Sequence, residues 1–156
     1  MKRHLAIAGF MGSGKTTLAK QISESSGVPY VDLDEYIEQQ EGKSIVEIFE
    51  VYGEGKFREL ETLYLKKILS VEKSTIIALG GGTVCFNDNI NLIKQNAWLI
   101  TIMVNSETLT KRLWNEKDKR PLIKHFQSKE DLRQFIDQKL NERLSYYMQA
   151  DWVLKM

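Results

Sequence analysis

Gly9-Phe10-Met11-Gly12-Ser13-Gly14-Lys15-Thr16 fits the phosphate-cradling pattern G-x-x-x-x-G-K-S/T. Glycines in such a loop let the backbone curl, so that successive N–H groups face phosphate oxygens. The helix that follows adds roughly half a positive charge at its N-terminus. Lys15 would reach the β- and γ-phosphates, and the Thr16 hydroxyl would ligate Mg²⁺. The pattern has physical meaning only between a strand and a helix. Leu5 to Ala8 is an apolar run that reads as a buried strand, and Thr17 to Ile22 continues with helical spacing. A glycine-rich turn that matches by chance is the competing reading.

Three further groups carry potential chemistry. Asp32-Leu33-Asp34 follows a second strand-like segment, at the end of a strand where ligands of open α/β sheets bind. Read as a strand, it aims both carboxylates the same way, toward the phosphate site. One would then hold magnesium and the other accept a hydrogen bond from an attacking hydroxyl; capping of a helix that starts at Glu35 is the alternative. Gly80-Gly81-Gly82 stands after an apolar strand, where a standard phosphate-loop ATPase would end in an aspartate. Bare backbone there suits an anion or a sugar-like hydroxyl, or simply a tight turn. Arg58, Arg112, Arg120 and Arg143 are candidates to grip carboxylate or phosphate, against the ordinary reading of solvated surface cations.

The elements that must position these residues alternate between strand and helix, which predicts a three-layer α/β/α fold around a five-stranded parallel sheet. Strands are expected near Leu5–Ala8, Tyr30–Asp32, Thr75–Leu79, Trp98–Val104 and Trp152–Leu154, with the second beside the first. The first helix should end near Gly27. From Glu35 to Ser70 the pattern is helical, with breaks at Gly42 and around Gly53–Gly55 and a capping box at Ser44-Ile45-Val46-Glu47. Later helices are expected over Asn87–Gln95, over Ser106–Trp114 with Ser106 as its cap, and over Leu132–Tyr147. Asn115 to Pro121 is polar and reads as a mobile loop. No linker or repeat divides the 156 residues, so a single domain is expected, with a helical insertion over about 33–62 and a lid over about 115–128.

Composition excludes several classes. The balance of 22 basic and 21 acidic residues argues against a protein that coats nucleic acid. Cys85 is the one cysteine, and with His4 and His125 it lacks the spacing of a metal site. No run approaches the roughly 18 apolar residues of a membrane span, and Lys2-Arg3 leads into the phosphate loop rather than a cleavable signal. A cytoplasmic monomer acting on small molecules is expected, with no nucleic-acid or membrane partner.

Taken together, the chain resembles the shikimate kinase family of small phosphate-loop kinases, from about Ile7 to Val153. The landmarks come in the family's order: Gly9–Thr16, Asp32-x-Asp34, Phe57-Arg58-x-x-Glu61, Gly80-Gly81-Gly82, Arg120-Pro121-Leu122 and Arg143-x-x-x-Tyr147. The resemblance implies transfer of the ATP γ-phosphoryl group to the 3-hydroxyl of shikimate, on the route to chorismate and aromatic amino acids. It implies an ATP site formed by Gly12, Ser13, Gly14, Lys15, Thr16 and Thr17, with Arg112 near the adenine and Arg120 swinging in with the lid. It further implies that Asp34 holds the reacting hydroxyl, that Arg58 and Arg143 clamp the carboxylate, that Gly80, Gly81 and Gly82 meet the ring hydroxyls, and that Thr16 and Asp32 support Mg²⁺. Lys15, Asp34 and Arg120 would be the catalytic groups. The chain departs from the family in lacking a proline after Arg143 and in a lysine-rich lid with Lys117 and Lys119. A gluconate-type small-metabolite kinase and a catalytically silent ATP-binding module are the rival readings.

Overall fold

A computed structural model describes residues Met1 to Met156. Five parallel strands form one sheet: β1 (His4–Gly9), β2 (Tyr30–Asp32), β3 (Ile76–Ala78), β4 (Ala97–Met103) and β5 (Trp152–Lys155), in the order β2-β3-β1-β4-β5. The five expected strands are all present. Their order differs from expectation in one respect, because β3 lies between β1 and β2: Ala6 pairs with Ile77, which pairs in turn with Val31. The long helical excursion after β2 returns the chain to a place between β2 and β1 rather than to the edge of the sheet.

Six α-helices cover the sheet: α1 (Lys15–Ser26), α2 (Leu33–Glu41), α3 (Ile45–Leu69), α4 (Asn89–Asn96), α5 (Ser106–Glu116) and α6 (Lys129–Tyr147). Alternation along β1 divides the core between the two faces. Ala6 and Ala8 join a cluster with Leu33, Ile48, Leu65 and Tyr147, while Ile7 joins Ala19, Ile102, Leu109 and Leu132 on the opposite side. Each fully buried Leu or Ile contributes roughly 1.5–3 kcal/mol, so both faces are anchored independently of any ligand. No helix is long and apolar enough to cross a membrane.

Local chemistry sets the helix ends. Ser44 and Glu47 form the expected capping box at the start of α3, and Ser128 caps α6 by accepting from the Asp131 N–H. Gly53 interrupts α3 with φ 84° and ψ 172°, whereas Gly55 stays helical. Asn105, not Ser106, caps α5: its side chain accepts from the Thr108 N–H at 2.8 Å. Between α5 and α6 the polar segment is not structureless. It contains a short 3-10 turn at Lys117–Lys119, buries Ile123 fully, and is tied by Lys117 Nζ donating to the Phe126 carbonyl at 2.8 Å.

Candidate active site

The loop after β1, the Asp32 turn after β2 and the triple glycine after β3 all leave the sheet at its carboxyl edge, where helices on both faces leave a crevice. On the phosphate-loop side, Gly14 adopts the left-handed conformation, φ 99°, which only glycine enters without strain and which aims the first N–H groups of α1 outward. Lys15 Nζ donates to the carbonyls of Gly9 and Phe10 at 2.9 and 3.0 Å. Burial lowers its ammonium to about 8; the Asp34 carboxylate opposes that shift, and the Arg120 charge adds to it.

Thr16 and Asp32 form the second element of this side. Thr16 Oγ1 donates to Asp32 Oδ2 at 2.5 Å, while Asp32 Oδ1 accepts from the Glu35 N–H at 3.1 Å. The carboxylate therefore caps α2, as the alternative reading expected, and at the same time meets the phosphate-loop threonine. These hard oxygen donors suit Mg²⁺, which keeps several waters and phosphate oxygens rather than a full protein cage. No cluster of three or more His, Cys, Asp or Glu side chains offers a richer site. Arg112 lies on the outer side of the loop, exposed, with Nη1 donating to the Gly12 carbonyl at 2.9 Å.

A cavity of about 680 Å³ adjoins the loop. Asp34 reaches it from the first turn of α2, not from a strand, so period-two alternation is not what aims it. Helix geometry turns Leu33 into the core and leaves Asp34 facing the cavity. Its Oδ1 is buried without a hydrogen-bond partner. Burial raises its carboxyl to about 7, with the neighbouring charges of Glu61 and Asp32 adding to the rise and Lys15 and Arg120 opposing it. An ionisable group held near neutrality in a cleft is what general-base or hydroxyl-orienting chemistry requires.

Glycine at 80–82 is explained by close approach. A Cβ on Gly80 would stand 2.8 Å from Glu61 Oε2 and 3.1 Å from Asp34 Oδ1; one on Gly82 would stand 3.0 Å from Arg58 Nη2. None of the three has positive φ, so space rather than backbone conformation selects them. Arg58, buried on α3, is fixed by Glu61 at 2.9 Å and Glu54 at 3.3 Å and stacks 4.0 Å from the Phe86 ring centroid. Glu61 is fully buried and also accepts from Thr83 Oγ1 at 2.7 Å. Arg143, buried on α6, keeps Nη1 without a partner. Arg120 keeps Nε without one while its Nη2 meets Glu116 at 3.2 Å.

This arrangement has counterparts among known proteins. The family model described as Shikimate kinase matches residues 11–155. The chain belongs to the shikimate kinase family. A curated shikimate kinase of Bacteroides thetaiotaomicron is 38% identical over 149 residues, 94% of this chain and 83% of that one. The solved structure of shikimate kinase from Bacteroides thetaiotaomicron covers 97% of this chain and 85% of its own at TM-score 0.90 and 35% identity. That of Acinetobacter baumannii shikimate kinase in complex with shikimate covers 100% and 84% at TM-score 0.91 and 29% identity. Members of the shikimate kinase family are ATP-dependent small-molecule kinases of the phosphate-loop fold, and this chain has that fold and class.

Of the residues singled out in the sequence, Lys15, Asp34, Arg58, Gly80, Gly81, Gly82, Arg120 and Arg143 meet around the one cavity. Asp32 and Arg112 stand outside it, at the phosphate-loop flank, and Thr17 is an exposed residue of α1. Glu61 was visible in the sequence only as a motif letter three places after Arg58. That spacing is the signal for an ion pair on one helix face. Met11 of the phosphate loop and Lys119 of the lysine-rich lid also line the cavity, as does Glu116, which nothing in its type or spacing marks.

Proposed function

We propose that this chain transfers the γ-phosphoryl group of ATP to the 3-hydroxyl of shikimate. The observation that carries the reading is the meeting of Asp34, with its unpartnered Oδ1, and two buried arginines, Arg58 and Arg143, beside the phosphate loop. A hydroxylated ring acid presents those chemistries: a hydroxyl to orient and a carboxylate to neutralise. Arg58 and Arg143 grip the carboxylate, the glycines leave room for ring hydroxyls, and Asp34 accepts the hydrogen bond of the attacking hydroxyl.

In the transfer, the hydroxyl oxygen bonds to the γ-phosphorus, the bond to the β–γ bridging oxygen breaks, ADP leaves, and the hydroxyl proton passes to Asp34 Oδ1. Catalysis is then a matter of alignment and charge neutralisation. Lys15 and Arg120 neutralise charge that spreads over the transferring group. Bound Mg²⁺ would supply further neutralisation of the phosphate oxygens, and Thr16 and Asp32 are the residues suited to hold it. Arg120 belongs to the segment over 115–128, which we assign as a lid that excludes water from the donor. We infer a monomeric enzyme of the cytoplasm, as the sequence reading expects.

ADP release is measured with ATP, Mg²⁺ and a panel of acceptors: shikimate, gluconate, a nucleoside monophosphate and water. Strong release with shikimate alone is expected. Equal release across the panel, or a preference for gluconate, overturns the assignment.

A further inference from the structure

Tyr147 plays no part in the transfer just described, yet it is held with unusual care for a core tyrosine. It is the last residue of α6 and fully buried. Its hydroxyl donates to the Gly81 carbonyl at 2.6 Å. Its own main-chain carbonyl accepts from Thr101 Oγ1 of β4, itself fully buried, at 2.8 Å. One helical turn earlier on the same helix stands Arg143. Gly81 is tightly placed as well, since a Cβ there would lie 3.0 Å from the Met11 nitrogen of the phosphate loop. A line of fixed contacts thus runs from β4 through the end of α6 to the triple glycine and on to the phosphate loop. Burial, foremost, raises the phenol to about 12, so the hydroxyl remains a donor throughout the working pH range.

We propose that Tyr147 is a positioning residue for the acceptor: its hydroxyl sets the span between Arg143 and the triple-glycine loop, the two supports between which the ring acid must fit. The inference rests on the shikimate reading. Its physical content is a separation of two effects. The bond itself adds only about 1 kcal/mol to stability. A shift of the glycine loop or of Arg143 by a fraction of an ångström removes much more from binding, because grips on both ends of a rigid ring tolerate little change in spacing. Phosphate-loop contacts made by backbone amides do not depend on that span.

The test is Tyr147→Phe, which keeps the ring in the core and removes only the hydroxyl, beside Thr101→Val, which removes the bond on the other side of the same residue. KM and Kd for shikimate, KM for ATP and the thermal midpoint are measured for both. Tyr147→Phe should raise KM and Kd for shikimate about 5- to 10-fold with KM for ATP within about twofold. Each substitution removes one hydrogen bond and should lower the midpoint by about 2–4 °C, and Thr101→Val should leave KM for shikimate within about twofold. Unchanged shikimate affinity in Tyr147→Phe, an equal rise in both variants, or a Tyr147→Phe chain that does not fold overturns the inference and leaves the functional assignment standing. A wild-type chain that gives no ADP with shikimate overturns both.

Discussion

The two halves of the cleft are made differently. The donor half is local: Gly9 to Thr16 form a continuous loop whose binding groups are mainly backbone amides, and the strand and helix that frame it are its immediate neighbours in sequence. The acceptor half is assembled from distant pieces, with Asp34 from α2, Arg58 and Glu61 from α3, three glycines after β3, and Arg143 from α6. Apart from the glycines, the groups we assign to acceptor binding are side chains, and tertiary contacts place them: Glu61 holds Arg58, and Tyr147 ties α6 to Gly81. A local amide loop serves any nucleoside triphosphate, whereas a side-chain assembly is specific to one acceptor shape. We therefore assign acceptor specificity to the half that depends most on tertiary packing.

Variants that injure one half and spare the other are the sharpest probes of this contrast. Lys15→Met removes the ammonium that faces the transferring group and should lower kcat about 10³-fold, with shikimate affinity within about threefold; a matching loss of shikimate affinity would erase the distinction between the halves. Arg58→Leu should lower kcat/KM for shikimate about 100-fold, or about 2.7 kcal/mol, and leave KM for ATP within about twofold. Steady-state titrations of each substrate at saturation of the other read both outcomes.

A smaller effect links the halves through charge. Asp34 accepts a proton only when ionised, so kcat/KM should rise as pH increases through about 7. Lys15 neutralises phosphate only when protonated, so activity should fall above about 8. The result is a narrow bell. Glu61 is the largest of the charges raising Asp34, after burial itself, so Glu61→Gln should move the acidic limb to lower pH while the alkaline limb stays in place. An acidic limb that does not move would show that Glu61 acts only as the support of Arg58.

The same contrast explains what could be read in the sequence. The phosphate loop was legible because its chemistry and its geometry lie in one contiguous run, and β1, β3 and β4 were legible because apolar runs mark the buried strands of a parallel sheet. Asp34 was found for an incomplete reason. Alternation along a strand was expected to aim it, but Asp32 ends β2 and caps α2, so the first helical turn aims Asp34 instead. The expected adjacency of β2 to β1 is not found, because strand order is a tertiary property that local patterns do not encode. The sequence points to Ser106 as the cap of α5, but Asn105 next to it is as good a cap by type, and only backbone conformation separates the two. Glu61 and Tyr147 were legible only as motif positions three and four places after an arginine, and their contacts with Thr83 and Gly81, far away in the chain, were not.

Asp34 is where the two halves touch, and it is held at a cost, as a buried carboxyl with one oxygen unpartnered. Its folded-state pKa lies above the ordinary value, so the cost grows as pH rises from about 4 toward 7 and is greatest above that. The decisive measurement is ATP affinity and shikimate-dependent turnover of Asp34→Asn against wild type at pH 8. ATP affinity within about twofold, turnover lower by at least about 100-fold, and a thermal midpoint above that of wild type are expected. Turnover within about tenfold of wild type, a difference of about 1.4 kcal/mol in the barrier, would contradict the role of Asp34 and with it the convergence of donor and acceptor on one carboxylate.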